Sequence, residues 1–318
     1  MSTKFQFSLV AFAIAFTFAP SAALAQGYGG SCDTDCCDAM GQTIASSCGC
    51  QARCGCQARG TVGSLFRWSD SRCGGMLAQL DEPLVTDRPD FTEASSVVGL
   101  GVLQLETGYT YTFDDDGTDR SIGHSFPETL LRYGVIANWL ELRVAWNYGD
   151  EDTNGVEASG ADDLYLGFKI GLTPQEGLLP EMAIIPQMTV PTGGSERTDD
   201  EVLAGLNWLY SWGINDFLST GGSTQFNRAL DEVTDNGYIE WAQSWTFAYS
   251  LTDRLGAYTE YYGFYPSGAD AITPEHYFNG GFTYLVNNDM QWDIRGGTGL
   301  NSDADDYFFG TGLSIRFR

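Results

Sequence analysis

Residues 103–113 read Leu-Gln-Leu-Glu-Thr-Gly-Tyr-Thr-Tyr-Thr-Phe, so large apolar side chains alternate there with small or polar ones. Successive side chains of a β-strand point to opposite faces. Leu103 and Tyr109 therefore share one face of the segment, while Gln104 and Glu106 share the other. This period of two predicts a strand with one apolar and one polar face.

Eleven further segments of the same character follow, each roughly 10–13 residues long. Their composition suits strands, because the chain contains 19 Phe, 16 Tyr and 8 Trp and aromatic residues favour β-structure. The fifth segment includes Pro186, which cannot donate a ladder hydrogen bond and predicts a bulge or a shorter strand there. The twelve segments span residues 101–113, 126–136, 139–149, 162–173, 181–190, 201–211, 216–227, 238–250, 255–264, 275–286, 289–298 and 306–317.

The connections between these segments alternate strictly between long and short. The long ones carry the acidic runs, such as Asp114-Asp115-Asp116 and Asp150-Glu151-Asp152. Long loops at one end and short turns at the other are typical of outer-membrane barrels, whereas a soluble sandwich would bury its apolar faces against a second sheet. The sequence therefore predicts an all-β fold: a transmembrane antiparallel up-and-down β-barrel of about 12 strands over residues 101–318, with both ends in the periplasm. The long connections span residues 114–125, 150–161, 191–200, 228–237, 265–274 and 299–305, and the short ones lie near 137–138, 174–180, 212–215, 251–254 and 287–288.

The N-terminal 25 residues have the features of a secretory signal peptide. Lys4 precedes an apolar run, and Ala23-Leu24-Ala25 fits a cleavage site before Gln26. No Cys follows that site, so lipid attachment is not expected. We predict a signal peptide over 1–25 and a mature chain that begins near Gln26.

All eight cysteines fall in a Gly-rich segment, predicted as a periplasmic tail over residues 26–80, either disordered or disulfide-bonded. The sequence Cys-Gly-Cys-Gln-Ala-Arg occurs twice, at 48–53 and 54–59. In an oxidising compartment such pairs suit disulfides, and thiolate binding of a metal is the alternative, so metal binding stays open. The disulfide or metal candidates are Cys32, Cys36, Cys37, Cys48, Cys50, Cys54, Cys56 and Cys73.

The composition narrows the set of partners. A net charge of −26 argues against nucleic acid, because phosphate binding needs clustered cations. The expected partners are outer-membrane lipid, a small-molecule solute and the barrel-assembly machinery. The last expectation rests on Thr311-Gly312-Leu313-Ser314-Ile315-Arg316-Phe317, which resembles the terminal-strand signal of outer-membrane proteins, although Arg318 follows the usual final aromatic.

The stretch Thr86-Asp87-Arg88-Pro89-Asp90-Phe91-Thr92-Glu93 lies in a linker predicted over residues 81–100, ahead of the first strand. Together with Leu131-Arg132-Tyr133-Gly134-Val135 and Pro191-Thr192-Gly193, it resembles the MetA-pathway of phenol degradation family, whose members are often called transporters. The resemblance covers about 86–318. It implies an outer-membrane barrel more firmly than it implies a phenolic substrate.

Charged residues on the polar faces are candidates for the barrel lumen. With a tight turn at Ala137-Asn138, Arg132 should lie opposite Arg143, with Glu141 one diagonal step away. Such residues form either a charged constriction that selects solutes or an ion-pair network that fills and stiffens the barrel. The lumen candidates are Glu106, Arg132, Glu141, Arg143, Lys169, Glu240, Glu260, Asp293 and Arg295.

A second candidate site is the motif Asp87, Arg88, Pro89 and Asp90, expected at the periplasmic mouth. It could fold into the mouth as a plug or gate. The alternative is a structural latch in which Pro89 fixes φ and the charges pair with barrel residues.

No catalytic residue and no cofactor is predicted. The two histidines, His124 and His276, lack a nucleophile at a spacing that would make a dyad, and none of the acidic runs has the spacing of a calcium loop. We predict a non-enzymatic outer-membrane channel or transporter for small solutes, with apolar or aromatic compounds as candidates. The alternative is a structural barrel whose Cys-rich tail anchors it to another envelope component.

Overall fold

The computed structural model describes residues 82–231, 234, 236–269 and 272–317. The predicted signal peptide, the Cys-rich tail with its eight cysteines, and Arg318 lie outside these residues. Within them, no helix has the length and apolar character needed to cross a membrane.

In the described part of the chain, fifteen strands make up a single antiparallel sheet. They are β1 (Leu103–Asp115), β2 (Arg120–Ser125), β3 (Thr129–Gly134), β4 (Leu140–Trp146), β5 (Tyr148–Thr153), β6 (Val156–Ala161), β7 (Leu164–Thr173), β8 (Glu181–Val190), β9 (Leu203–Gly213), β10 (Leu218–Leu230), β11 (Gly237–Ser250), β12 (Leu255–Ser267), β13 (Glu275–Asn287), β14 (Met290–Gly299) and β15 (Tyr307–Phe317).

The sheet closes on itself because β1 pairs with β15 from Leu103↔Phe317 to Phe113↔Tyr307. Around the ring, β2 with β3, β4 with β5, and β6 with β7 each form one interrupted strand, so the wall has twelve positions. Closure leaves no open edge within the ring, which is what a strand-built membrane span requires. The prediction of a twelve-stranded antiparallel barrel is confirmed.

The prediction of loops over 114–125 and 150–161 is wrong. β1, β2, β5 and β6 continue past the ring as a four-stranded extension, joined in part by a two-residue turn at Asn154 and Gly155, which have φ of 56° and 83°. The sequence does not mark the extension because β2, β5 and β6 lack a sustained alternation of apolar and polar side chains. Without that alternation the period of two leaves no signal, although the backbone still pairs.

Pro186 does not shorten its strand, because β8 runs from Glu181 to Val190 and pairs Pro186 with Leu206 of β9. On the other side of β8, Ile185 and Pro186 make no ladder pairs with β7. The β7–β8 pairs before and after this gap keep the same register. The register shift lies instead between Gly171 and Thr173. The prediction of a bulge or a shorter strand at Pro186 is therefore wrong, because the irregularity of this ladder lies opposite Met182 and Ala183.

The side chains are distributed in the reverse of a soluble protein. Glu106 and Arg132 have 0% exposure inside the ring, whereas Phe282 on the outer face is 49% exposed. Burying a charge is costly unless it is paired, and large exposed apolar surfaces need a non-aqueous partner. Hydrocarbon outside and a polar interior satisfy both conditions.

Candidate functional site: the occupied lumen

Residues 82–102, which include the segment expected to be a linker, run inside the barrel; we call them the lumen segment. The segment begins at the end of the barrel that carries the short turns, where the Leu84 N–H donates to the Asn288 carbonyl at 2.8 Å. It reaches its deepest point near Phe91 and returns to the same end, where the Gly101 N–H donates to the Gly134 carbonyl at 2.9 Å. It is thus a loop inserted from one end of the barrel and not part of the wall.

Asp87 is the charged centre of the lumen segment. Its carboxylate accepts from Lys169 Nζ at 2.7 and 3.0 Å, from Arg143 Nη1, and from the Ala94 N–H at 2.9 Å. Arg132 Nε lies 3.4 Å away. Three buried cations from β3, β4 and β7 thus converge on one buried carboxylate of the inserted loop.

Two carboxylates of the wall complete this network. Glu106 accepts from the backbone N–H groups of Asp87 and Arg88 at 3.1 Å and from Arg132 Nη1 at 2.9 Å. Glu141 accepts from Arg132 at 2.7 and 3.0 Å and from Arg143 at 3.0 Å. The predicted opposition of Arg132 and Arg143 is confirmed by the β3–β4 register, and Glu141 bridges the two guanidinium groups.

Arg88 extends along the neighbouring wall, formed by β14, β15 and β1. Its guanidinium donates to Glu128 at 2.7 Å, to Asp293 at 3.4 Å and to the Thr311 carbonyl at 3.2 Å. It passes directly over Gly108 and Gly312, where any Cβ would collide with it. Two glycines on the polar faces of β1 and β15 therefore create the space in which this side chain lies against the wall.

Glu260 holds the deepest part of the lumen segment. It accepts from the Phe91 N–H at 2.8 Å, the Thr92 N–H at 2.7 Å and the Thr92 hydroxyl at 2.6 Å, and Asn279 donates to it at 2.8 Å. Arg295 donates to the Pro89 carbonyl at 3.1 Å. These contacts fix the backbone of the loop without using its side chains other than Thr92.

The structure brings eight of the nine lumen candidates into contact with the lumen segment. The ninth, Glu240, accepts from Tyr238 at 3.4 Å and lies nearer the long-loop end. Among the carboxylates that contact the cationic cluster or Arg88, Glu93 and Glu128 were not predicted from the sequence. Glu93 binds Arg143 at 2.6 Å and is the last residue of the quoted motif, while Glu128 follows a proline and carries no pattern that marks it.

Two cavities lie between the lumen segment and the wall. One, of about 400 Å³, is bounded by the segment and by β8 to β11, and it includes Ser95, Ser211 and Thr246. The other, of about 260 Å³, is bounded by the segment and by β11 to β14. Asp90 lines both. The segment thus fills the barrel on the side of the cationic cluster and leaves space on the other.

Acidic groups dominate the long-loop end. In the connection between β14 and β15, burial and then repulsion from Asp114, Glu275, Glu151 and Asp306 raise the pKa of Asp305 to about 6. Burial is the larger cause, and the negative charge of the neighbours adds to it.

The two histidines pair with tyrosines: His124 Nδ1 lies 2.8 Å from the Tyr109 hydroxyl, and His276 Nδ1 lies 2.8 Å from the Tyr261 hydroxyl. In the part of the chain that the structure describes, no group of three or more His, Cys, Asp or Glu side chains is arranged to hold a metal ion.

These features define a class of protein: a twelve-stranded transmembrane β-barrel whose lumen contains the segment that precedes its first strand. The chain belongs to the family described as "Putative MetA-pathway of phenol degradation", whose model matches residues 86–317. The match begins at the motif and includes the whole barrel.

Among solved structures, the chain resembles an outer-membrane channel from Pseudomonas putida F1, with 12% identity and a TM-score of 0.58 over 72% of this chain and 99% of that one. At that identity the likeness concerns the fold. The translocator domain of the autotransporter NalP from Neisseria meningitidis matches with 12% identity and a TM-score of 0.47 over 69% of this chain and 89% of that one. The NanC porin matches with 12% identity and a TM-score of 0.42 over 67% of this chain and 98% of that one. None of the curated proteins matches the chain.

Proposed function

We propose that the protein is a passive outer-membrane channel for small solutes, closed at rest by the lumen segment. One observation carries the proposal: the lumen segment lies inside the barrel and is bound there through hydrogen bonds and ion pairs. A loop attached in this way can leave or shift without unfolding the barrel. The cavities of about 400 and 260 Å³ beside it support the proposal, because a path that opens there needs only a small shift of the segment.

In this proposal the short-turn end faces the periplasm, as is general for outer-membrane barrels. The Cys-rich tail then lies in the periplasm, because the lumen segment begins at that end. The barrel-assembly machinery is the expected insertion partner, and apolar or aromatic compounds are the candidate solutes. Enzymatic activity is not part of the proposal.

Reconstitution in planar bilayers tests the proposal directly. The full mature chain should show rare, discrete openings in KCl, and their frequency should rise in about 2 M urea, which weakens hydrogen-bonded docking before it unfolds a closed barrel. Liposome swelling with a panel of small sugars, phenols and amines should then report which solutes pass. A barrel that stays silent under all of these conditions would leave the structural, tail-anchored alternative in place.

The acidic entrance predicts a pH effect on ion selectivity. Folded Asp305, with a pKa of about 6 against an ordinary value of 3.8, binds a proton in a range where the unfolded chain would not. Lowering the pH from about 7.5 to about 5 should therefore remove negative charge from the entrance and weaken the preference for cations. The reversal potential in a KCl gradient should shift with pH around a midpoint near pH 6, and Asp305→Asn should abolish this shift. If the variant shows the same shift, then another group is responsible for it.

A further inference from the structure

Phe91 occupies an aromatic site inside the lumen. Its ring stacks on Tyr262 at a centroid distance of 4.6 Å and an interplanar angle of 8°, and it meets Phe264 edge-on at 5.4 Å. Tyr262 in turn stacks on Tyr277 at 4.8 Å, and Phe308 lies edge-on to Tyr277 at 6.3 Å. We call Tyr262, Phe264, Tyr277 and Phe308 the aromatic site.

The aromatic site is unusual for this barrel, because its large apolar rings face inward from β12, β13 and β15. Tyr277 and Phe308 are 6% and 5% exposed, while the next residue, Phe309, faces outward and is 58% exposed. Ala304, from the connection between β14 and β15, is packed into the same cluster. The site therefore lies between the lumen segment and the acidic long-loop end.

Phe91 is not needed to hold the lumen segment in place. Its backbone N–H is bound by Glu260, and the neighbouring Thr92 is bound by the same carboxylate. The remaining anchors are the ion pairs of Asp87 and Arg88. The Phe91 ring is the sole aromatic side chain of residues 82–102, and none of these anchors uses it.

The charges around the aromatic site limit what could replace Phe91. On its outer side Tyr277 donates to Glu275 at 2.8 Å and accepts from the Asp305 N–H at 3.2 Å. Asp114 and Asp306 lie close enough to raise the pKa of Asp305, so a solute that approaches from the long-loop end crosses a negative field. Arg295, 5.6 Å from the Phe308 ring, already binds the Pro89 carbonyl and Thr110. An anionic solute would be repelled at the entrance, whereas a neutral or cationic one would not.

We propose that the aromatic site binds neutral or amine-bearing monocyclic aromatic solutes, and that Phe91 occupies it in the closed state as a built-in competitor. The physiological role of this binding rests on the proposed channel function, whereas the binding experiment does not depend on it. A solute ring takes the place of the Phe91 ring between Tyr262 and Phe264, while the polar anchors of the lumen segment stay formed. Phe91 is thus a specificity-determining residue.

Calorimetry on the full mature chain in detergent, with phenol, benzylamine and benzoate as probes, tests this assignment. Phe91→Ala should bind phenol and benzylamine about tenfold more tightly than the wild type, because one stacked and one edge-on contact no longer have to be displaced. Phe91→Leu keeps an apolar side chain of similar reach, so its affinity for phenol and benzylamine should lie between those of the wild type and Phe91→Ala. This variant also provides the test if the alanine variant fails to fold. Benzoate should bind at least tenfold more weakly than benzylamine to every variant.

A matched pair of controls separates the aromatic site from partition into the detergent. In the Phe91→Ala background, Phe308→Ala should weaken binding of benzylamine about tenfold, whereas Phe309→Ala, its outward neighbour, should leave it unchanged. Equal effects of the two substitutions, or equal affinities of wild type and Phe91→Ala, would overturn the assignment. Binding without any conductance in bilayers would refute the channel function alone, and conductance without binding would refute the aromatic site alone.

Discussion

Replacing Asp87 with alanine should convert a channel that opens rarely into one that is open most of the time. The substitution leaves Lys169, Arg143 and Arg132 without the carboxylate on which they converge. Removing one partner of a buried ion pair costs about 3–5 kcal/mol, because the remaining charges stay desolvated. The docked lumen segment bears this cost and the undocked one does not, so the closed state should lose about two to four orders of magnitude in relative population.

Single-channel recording at neutral pH measures the open fraction of the Asp87→Ala variant. Glu240→Ala is the matched control, because Glu240 is a carboxylate of the wall that accepts from Tyr238 and is not among the groups that bind the segment. It should leave the open fraction unchanged. Adding Lys169→Met to Asp87→Ala should restore closure in part, since an apolar side chain of similar length removes one unpaired charge. An Asp87→Ala channel as closed as the wild type would refute the plug.

The second large effect concerns the outer wall. Phe282→Arg should destabilise the folded barrel in lipid vesicles by about 2–4 kcal/mol, the cost of an arginine near the middle of the bilayer. Phe282 lies midway along β13, pairs with Ile294 and Ala257, and is 49% exposed. Urea unfolding of the vesicle-bound protein, followed by the migration of unheated samples on gels, reports the change in the free energy of unfolding.

Val156→Arg provides the control for that measurement. Like Phe282, Val156 is an exposed apolar residue of a strand, with 71% exposure. It is the first residue of β6, which belongs to the extension beyond the ring. A water-exposed strand should tolerate the arginine within about 0.5 kcal/mol. If both substitutions cost the same, then either the extension lies in lipid or the wall at Phe282 does not.

The same contrast explains which elements were visible in the sequence. The twelve wall strands show a period of two because lipid covers one face and a polar interior the other, so the pattern is local and repeats along every strand. The extension strands β2, β5 and β6 lack a sustained alternation, and the acidic run of β5 resembles a loop. The register of Arg132 against Arg143 was also accessible, because a hairpin fixes its register through the turn between its strands.

The sequence by itself determined the strand count, the closed antiparallel wall, the faces of its side chains and the family, because each depends on patterns that neighbouring residues carry. Only the tertiary structure decided that residues 82–102 fill the lumen, that Glu128 and Glu260 bind them, and that Gly108 and Gly312 make room for Arg88. Those contacts join residues 20 to more than 200 positions apart. No local period records such pairs, because they exist only once the sheet has closed and brought its distant strands around a common interior.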